Sequence, residues 1–543
     1  MEYFVGVDVG TGSARAGIFN FKGELLSTAR QDITIYREGT DIVEQSSDNI
    51  WQAICESIKS ALSSAKVSAD QIKGIGFDAT CSLVVLDKHE QPLTVSSSGD
   101  NSRNIIVWMD QRATDQAIRI NQTGHQVLKY VGGKISPEMQ TPKLLWLKEN
   151  MPAVYSKVGH LFDLTDYLTW RATGDLSRSR CTVTCKWTYM SHENNWDASY
   201  FHEIGLSDLT ENDFSIIGSN VLDAGTALGV GLTVAAAVDL GLVAGTPVAV
   251  GLIDAHAGGI GTVGAFSPNL SLKNRMAYIF GTSACTMSSS TQQAFVPGVW
   301  GPYYSAMVPG LWLSEGGQSA AGEAISHLLK LHPFYEKAKN EANESNYSLP
   351  NYLLNLIEKK GIPTSEIIYL AKKIIVVPEF LGNRAPFSDP NTRAIISGLD
   401  LDLSINGLIA LYIAGIVGLG YGLKQIIKVQ VENGVCTDTV VISGGAGQSS
   451  IIKQLLADSA GITIVGSNTQ EPVLLGSAML GAVASGAYSS LTSAMKEMSS
   501  LGDVFEPIRG VISQHHVNCF KIFEALQSAA KIEPILNQVK NEV

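Results

Sequence analysis

Val5-Gly-Val-Asp8-Val-Gly10-Thr11-Gly12-Ser13-Ala-Arg15-Ala-Gly-Ile-Phe19 opens the chain, and a shadow of it, Ala277-Tyr-Ile-Phe-Gly281-Thr282-Ser283-Ala-Cys-Thr286, returns half a chain later. Val5, Val7 and Val9 alternate with smaller or polar neighbours, which is strand spacing, and Asp8 falls where that strand runs into a tight turn. Gly10 and Gly12 let the backbone turn. Without a Cβ there, amide N–H groups approach a phosphate closely, and Thr11 and Ser13 add hydroxyl donors. Asp8 is an oxygen ligand suited to Mg²⁺, directly or through water. Residues 16–19 read as the returning strand. The loop is therefore a hairpin, unlike the strand-to-helix loop of Gly-x-x-x-x-Gly-Lys-Ser/Thr, which occurs nowhere in the chain. One such hairpin is an ordinary Gly-rich turn. Two of them, each after an apolar strand at the head of its half, predict a nucleotide gripped between two similar lobes.

At 543 residues the chain is too long for one core. A prior of roughly 150 residues per domain would give three or four, whereas the repeated loop argues for two large halves. The formal charge of -12, from 51 acidic and 39 basic residues, speaks against a nucleic acid or an anionic membrane as partner. A phosphate ligand must then be held by local donors and metal. Seven cysteines, an odd number without a small-domain framework, fit a reducing compartment. Cys181-x-x-x-Cys185 invites a metal reading, but no second cysteine pair lies near it, and the spacing disfavours zinc. The N-terminus enters a strand at once, and Gly, Pro or polar residues interrupt every long apolar stretch. A soluble, cytoplasmic protein is the expectation.

Helical spacing over 49–65 follows the cap candidates Ser46, Ser47 and Asp48. Two short strands flank a polar turn at Asp78-Ala-Thr80-Cys81-Ser82 within 72–87. Residues 105–112 read as a strand that ends in polar groups, where open α/β sheets present ligand contacts. Helices are expected around 142–150 and 161–170, the second closed by Thr173-Gly174, while 177–190 is less regular. A buried strand over 245–254 delivers Asp254 to a small-residue helix start. The boundary between halves is expected within 266–274, rich in Ser, Pro and Asn. A long apolar helix over 405–429 precedes Ser443-Gly444-Gly445-Ala-Gly447-Gln448-Ser449, a strand, glycine turn and helix start suited to a flat adenosine lying on backbone, or to a close-packed crossover.

Asp8-x-Gly10-Thr11-x-Ser13, Pro142-Lys143-Leu-Leu-Trp146, Asp166-Tyr167-Leu with Thr173-Gly174, Asp254-x-x-Ala-x-Gly, Gly281-Thr282-Ser283, Asn383-Arg384-x-Pro386 with Asp389-Pro390, and Ser443-Gly444-Gly445 stand in the order found in the FGGY carbohydrate kinases. The chain resembles that family from Glu2 to about Tyr488, with a departure in the first residues of the Pro-Lys-Leu-Leu-Trp motif. The resemblance implies an α/β, two-domain actin-like ATPase fold of duplicated ribonuclease-H-like domains, with an interdomain active-site cleft. An N-terminal domain, 1–268, would bind sugar and carry the first phosphate loop. A C-terminal domain, 269–543, would bind the nucleotide and end in a helical segment. ATP as substrate and Mg²⁺ on Asp8 come with the resemblance. So do nucleotide contacts at Thr11, Gly12, Ser13, Arg15, Gly281, Thr282, Gly322, Gly444, Gly445, Gln448 and Ser449.

The turn Asp78-Ala79-Thr80-Cys81-Ser82-Leu83-Val84 resembles that of the ribulose kinases, and its Thr-Cys-Ser-Leu-Val run looks like the D-ribulose branch. It differs from the Gln-Met-His-Gly of xylulose kinases and the Arg-Glu pair of glycerol kinases. Arg178-Ser-Arg180-Cys181-Thr-Val-Thr-Cys-Lys186-Trp is similar to the ribulokinase pattern in which that lysine reaches the sugar. The resemblance implies that Thr80, Cys81, Ser82, Trp108, Lys186, Asp254 and Glu315 form the ketopentose pocket. L-ribulose, ribitol or xylulose are alternative acceptors, and an actin-fold chaperone or filament ATPase is the alternative class. The partners expected are a ketopentose or related polyol and, as an option, a second copy of the chain, without nucleic acid or membrane.

A sugar hydroxyl becomes a nucleophile when a carboxylate accepts its proton as the bond to phosphorus forms. Asp254, at a strand end beside glycines, is the general base expected; a helix N-cap is its structural alternative. His256, two residues on, should point away and belong to the core. Lys186 is either a solvated loop lysine or, flanked by Cys185 and Trp187, aimed at a sugar oxygen. Trp108 is core or a stacking wall. Glu315, in a small uncharged run, wants a partner that a sugar hydroxyl would supply. Arg15 either contacts the transferring phosphate or pairs with a neighbouring acid.

Overall fold

The opening strand, Tyr3–Val9, is buried along all seven residues, because its alternating valines find cover on both faces of a sheet. It pairs antiparallel with Ser13–Asn20 and parallel with Ile72–Ala79. The whole sheet runs Leu252–Ile253, Ile72–Ala79, Tyr3–Val9, Ser13–Asn20, Leu25–Asp32. In the computed structural model, which describes residues 2–264 and 274–530, this order recurs in the second half. There it reads Thr463–Ser467, Thr439–Gly444, Arg275–Phe280, Ala284–Ser290, Trp312–Gln318, with the same parallel and antiparallel steps. The two quoted loops close the matching hairpins. Gly10 N donates to Ser13 O at 3.0 Å, and Gly281 N to Ser283 O at 2.9 Å. The duplication expected from the loops is thus present strand for strand. The expected boundary between residues 268 and 269 lies outside the described residues.

The cores do not divide where the sequence does. The helix Pro472–Ala484 lies across the N-terminal sheet and against the helix Asp254–Val263, and Leu474, Leu475, Ala478 and Leu480 share a core with N-terminal residues. Backbone meets backbone there. A Cβ on Gly76 would stand 2.0 Å from Ser477 O, and one on Gly476 the same distance from Ala257 O. The apolar helix Ile405–Glu432 passes the length and hydropathy test for a membrane span, yet 83% of its most apolar window is buried inside the fold. It is the central helix of the C-terminal core.

Several local expectations give way to tertiary pairing. Leu161 to Asp163 belong to the strand Val158–Asp163, which pairs with Leu83–Asp87, and the helix begins only at Leu164. The strand expected over 105–112 stops after Ile106, because Asp110 turns back to accept hydrogen bonds from Val43 N and Arg112 N. Within 245–254, Leu252–Ile253 pair continuously with Ile72–Ala79, and Val248 adds an isolated parallel bridge to Ile75. Upstream, Val248 and Val250 exchange hydrogen bonds with the loop at Gly225 to Leu228. The irregular 177–190 contains the helix Arg180–Trp187, with Ser179 Oγ accepting from Cys181 N as its cap.

Candidate active site

Three carboxylates gather at the carboxyl ends of three neighbouring parallel strands. Asp8 and Asp78 are paired in register, and Asp254 follows directly on Leu252–Ile253. Burial and the nearby Asp8 charge push the Asp254 carboxyl up to about 6. Asp78 is raised well above the usual carboxylate range by burial and then by Asp8. Ser477 Oγ donates to one of its oxygens, while its Oδ1 is buried without a partner. Three converging carboxylates with one orphaned oxygen suit a hard divalent cation such as Mg²⁺. The N-cap alternative for Asp254 is met in part, since its Oδ1 accepts from Ala255 N at 2.7 Å.

Beside this cluster lies the turn Thr80-Cys81-Ser82, buried throughout. Thr80 N is held by Val9 O at 3.0 Å, and Ser82 N by Thr80 O at 2.8 Å. Thr80 Oγ1 and Ser82 Oγ lie 3.2 Å apart, and Gln140 Nε2 donates to Cys81 O. Burial pushes the Cys81 thiol up to about 12, so it is neutral. Trp108 joins the two regions: its backbone N donates to Ser82 Oγ, and its Nε1 to Thr11 Oγ1 at 2.9 Å. Lys143, fully buried, donates to the carbonyls of Val107 and Trp108 and fixes that segment from behind. Lys186 is only 6% exposed. Among the described residues its ammonium has no hydrogen-bond or ion-pair partner and faces the Trp300 ring at 4.8 Å. An ammonium held in a largely buried side chain without a hydrogen-bonded protein acceptor can serve acceptors on a ligand.

Two residues expected at the ligands already have protein partners. Glu315 is already satisfied: Arg384 donates to its Oε1 at 2.8 Å, and His256 Nε2 stands 3.3 Å from its Oε2. Burial alone would raise this carboxyl, but His256, Lys186 and Arg384 hold it well below the usual range. It anchors side chains of the site through both of its oxygens. Arg15 takes the second of its two alternatives: Nε and a terminal nitrogen go to Asp8, and the other terminal nitrogen to Glu471 at 2.8 Å. Three of the five guanidinium N–H groups are thus engaged by acid, and Arg15 orients Asp8. His256 is fully buried, as expected, and packs on Cys181 with Nδ1 2.9 Å from Sγ.

On the C-terminal side a cleft of ≈ 710 Å³ is lined by Gly281, Gly322, Gly445, Gln448 and Ser449 together with Tyr347, Asn351 and Tyr412. Five of the expected nucleotide residues therefore meet at one cavity. Thr282 and Gly444 do not line it. Thr282 O instead accepts from Ala321 N and Glu323 N, and Gly444 has φ +89 with Phe280 O only 2.2 Å from a Cβ position, a demand of the turn itself. In the first loop, Gly12 is exposed with nothing within 4 Å of a Cβ position. The fold does not require glycine there, whereas an approaching phosphate would. Thr11, Gly12 and Ser13 stand in the hairpin that joins Asp8 to Arg15.

Asp78, Trp300 and Arg384 were given no role from sequence. Arg384 lies in a quoted motif and Asp78 heads the quoted turn, so both carried a signal. Trp300, which receives Lys186 on its ring and Arg384 at 5.0 Å, carried none.

Residues 3–261 match the N-terminal domain, and residues 276–485 the C-terminal domain, of the FGGY family of carbohydrate kinases. An FGGY carbohydrate kinase domain-containing protein of Xenopus laevis is 45% identical over 93% of this chain and 92% of its own length. A D-ribulokinase of Saccharomyces cerevisiae is 37% identical over 89% of this chain and 72% of its own length. The solved structure of a xylulose kinase from Lactobacillus acidophilus superposes with a TM-score of 0.77 at 19% identity, covering 97% of this chain and 98% of that one, a likeness of fold.

Proposed function

The chain belongs to the FGGY family of carbohydrate kinases, and we propose that it transfers the γ-phosphoryl group of ATP to a ketopentose, D-ribulose before L-ribulose, ribitol or xylulose. The observation that carries this reading is Lys186. Its side chain is largely buried, among the described residues its ammonium has no hydrogen-bonded acceptor, and it lies near the Thr80-Cys81-Ser82 turn and among the charges that act on Asp254. The 37% identity to a D-ribulokinase supports the choice of sugar.

In this reading Lys186 and the Thr80 and Ser82 hydroxyls hold the sugar hydroxyls while Trp108 walls one face. Asp254 takes the proton of the terminal hydroxyl as its oxygen bonds to the γ-phosphorus; the bond from that phosphorus to the bridging oxygen breaks, and ADP leaves. Asp254 is suited to this because burial and Asp8 bring its pKa near neutrality while leaving it ionised at pH 7. Gly10 N and Gly281 N close the two hairpins, and the N–H groups at the hairpin tips, Thr11 and Gly12 in the first and Thr282 in the second, face the phosphates. The C-terminal cleft takes the adenosine, with Gly445, Gln448 and Ser449 against it. Asp8, with Asp78 beside it, would hold Mg²⁺, whose charge would offset the negative charge of the transferring phosphoryl group. Arg15 keeps Asp8 aimed. We also read the enzyme as cytoplasmic, in keeping with seven cysteines that are all free thiols.

An ADP-release assay over a panel of ketoses and polyols tests the proposal. D-Ribulose should give the highest kcat/KM, with xylulose and glycerol far behind. A best rate on D-xylulose or glycerol would overturn the assignment of the sugar.

A further inference from the structure

Phosphoryl transfer leaves a second cluster, beneath Lys186, without a task. Cys181 and Cys185 stand four residues apart on the helix Arg180–Trp187 and share one of its faces. His256 comes from the first turn of Asp254–Val263. One donor atom from each of the three, two Sγ and a ring nitrogen, lies within 4.8 Å of the other two, and all three residues are buried. The other ring nitrogen of His256, Nε2, points to Glu315 Oε2 at 3.3 Å, and Arg384 holds the remaining oxygen of that carboxylate.

We propose that Cys181, Cys185 and His256 bind a zinc ion. The metal reading that spacing disfavoured lacked a third ligand near the cysteine pair, and the fold supplies it from 75 residues downstream. Three features of the cluster are those of a zinc site. Two thiolates and an imidazole are the soft and borderline donors that this ion selects over Mg²⁺. Two thiolates also cancel the charge of a divalent ion, so a buried complex carries none. A metal-bound histidine commonly gives its other N–H to a carboxylate, which fixes the tautomer, and Glu315 already stands in that position.

Tetrahedral ligands at ordinary zinc distances are separated by about 3.5 Å. Cys181 Sγ and His256 Nδ1, now 2.9 Å apart, need to open by roughly half an ångström to reach that spacing. The Tyr303 hydroxyl, buried without a partner and close enough for Cys185 to act on it, offers a hydrogen bond to a water in the fourth position. Binding forms two Zn–S bonds and one Zn–N bond and releases the two protons carried by the thiols and the imidazole, so affinity rises with pH. Cys185 adjoins Lys186, and His256 lies two residues beyond Asp254. The ion would therefore tie the sugar-side helix to the helix of the base, whichever sugar is the substrate.

Metal content and thiol chemistry of the full-length protein test this. Protein stripped with chelator, reloaded with Zn²⁺ under reductant and desalted should retain about one equivalent, and Co²⁺ in its place should give a thiolate-to-metal charge-transfer band. Cys181→Ser combined with Cys185→Ser should lose both signals, while Cys436→Ser, at an exposed thiol, should keep them. In case the double variant folds poorly, alkylation of the unmodified protein gives a second measurement: Zn²⁺ should slow labelling of Cys181 and Cys185 and leave Cys436 unchanged. The proposal fails if the reloaded protein retains no zinc, if the double variant retains as much as the parent, or if Zn²⁺ protects neither thiol.

Discussion

Trp108 Nε1 donates to Thr11 Oγ1 at 2.9 Å, so the tryptophan proposed to wall the sugar is hydrogen-bonded to the first glycine hairpin. The Thr11 hydroxyl accepts this bond with its lone pair and keeps its own proton for another acceptor, which a phosphate oxygen would provide. The hairpin is thereby positioned from the side of the proposed sugar pocket. Trp108→Phe keeps the ring and removes the donor. A lost hydrogen bond of this kind is worth ~0.5–1.5 kcal/mol, so kcat/KM should fall by roughly two- to tenfold, with the KM for ATP affected as well as that for sugar. Steady-state kinetics varying each substrate checks it; a change confined to the sugar KM would mean that the loop does not depend on the tryptophan.

The pH profile should report Asp254. A general base works ionised, and burial with Asp8 raises this carboxyl to about 6. The rate should therefore be flat above that pH and fall as pH drops through it, about tenfold per unit below. Asp254→Asn should remove the limb along with ~10²- to 10⁴-fold of the rate, leaving ATP binding largely intact by calorimetry. Turnover within a few-fold of the parent would show that another group takes the proton.

Lys186→Met separates binding from chemistry. A charge-assisted hydrogen bond contributes ~1.5–3 kcal/mol, so the sugar KM should rise roughly tenfold to over a hundredfold while the KM for ATP changes little. Lys186 also lowers the Asp254 pKa, so the acid limb of the remaining activity should move to higher pH. An unshifted limb with an unchanged sugar KM would place the ammonium away from both partners.

The parts of this site legible in the sequence are those that local chemistry marks. Asp8 and Asp254 could be read because a carboxylate at the junction of an apolar strand and a glycine-rich turn has few packing explanations. The hairpins could be read because they occur twice. Contacts made across the fold were not legible. His256 meets Cys181 across 75 residues and Glu315 across 59, so the partner that satisfies Glu315 leaves no trace near it in the sequence, and a sugar was expected in its place. The same holds for Leu161 to Asp163, whose short apolar run suits helix or strand equally until Leu83–Asp87 pairs with it. Nothing local in the helix Pro472–Ala484 says that it packs on the other half.

That helix supports the last prediction, which sets two glycines of the N-terminal domain against each other. Gly76 lies under it, where a Cβ would stand 2.0 Å from Ser477 O, whereas a Cβ on Gly12 would meet nothing within 4 Å. Gly76→Ala must push helix from sheet, at an overpacking cost of ~1–3 kcal/mol. It should also disturb the Ser477 Oγ bond to Asp78, two residues along the same strand. Its melting temperature should fall by several degrees, roughly 2–4 °C per kcal/mol in a large domain, and catalysis should fall with it. Gly12→Ala should melt with the parent, yet lose ATP affinity because the added methyl occupies the approach to the loop amides. Calorimetric melting and nucleotide titration of both variants decide the matter. If Gly12→Ala binds ATP as the parent does, the first hairpin is a turn and not a phosphate loop. If Gly76→Ala melts unchanged, the helix does not rest on the sheet as closely as its backbone distances require.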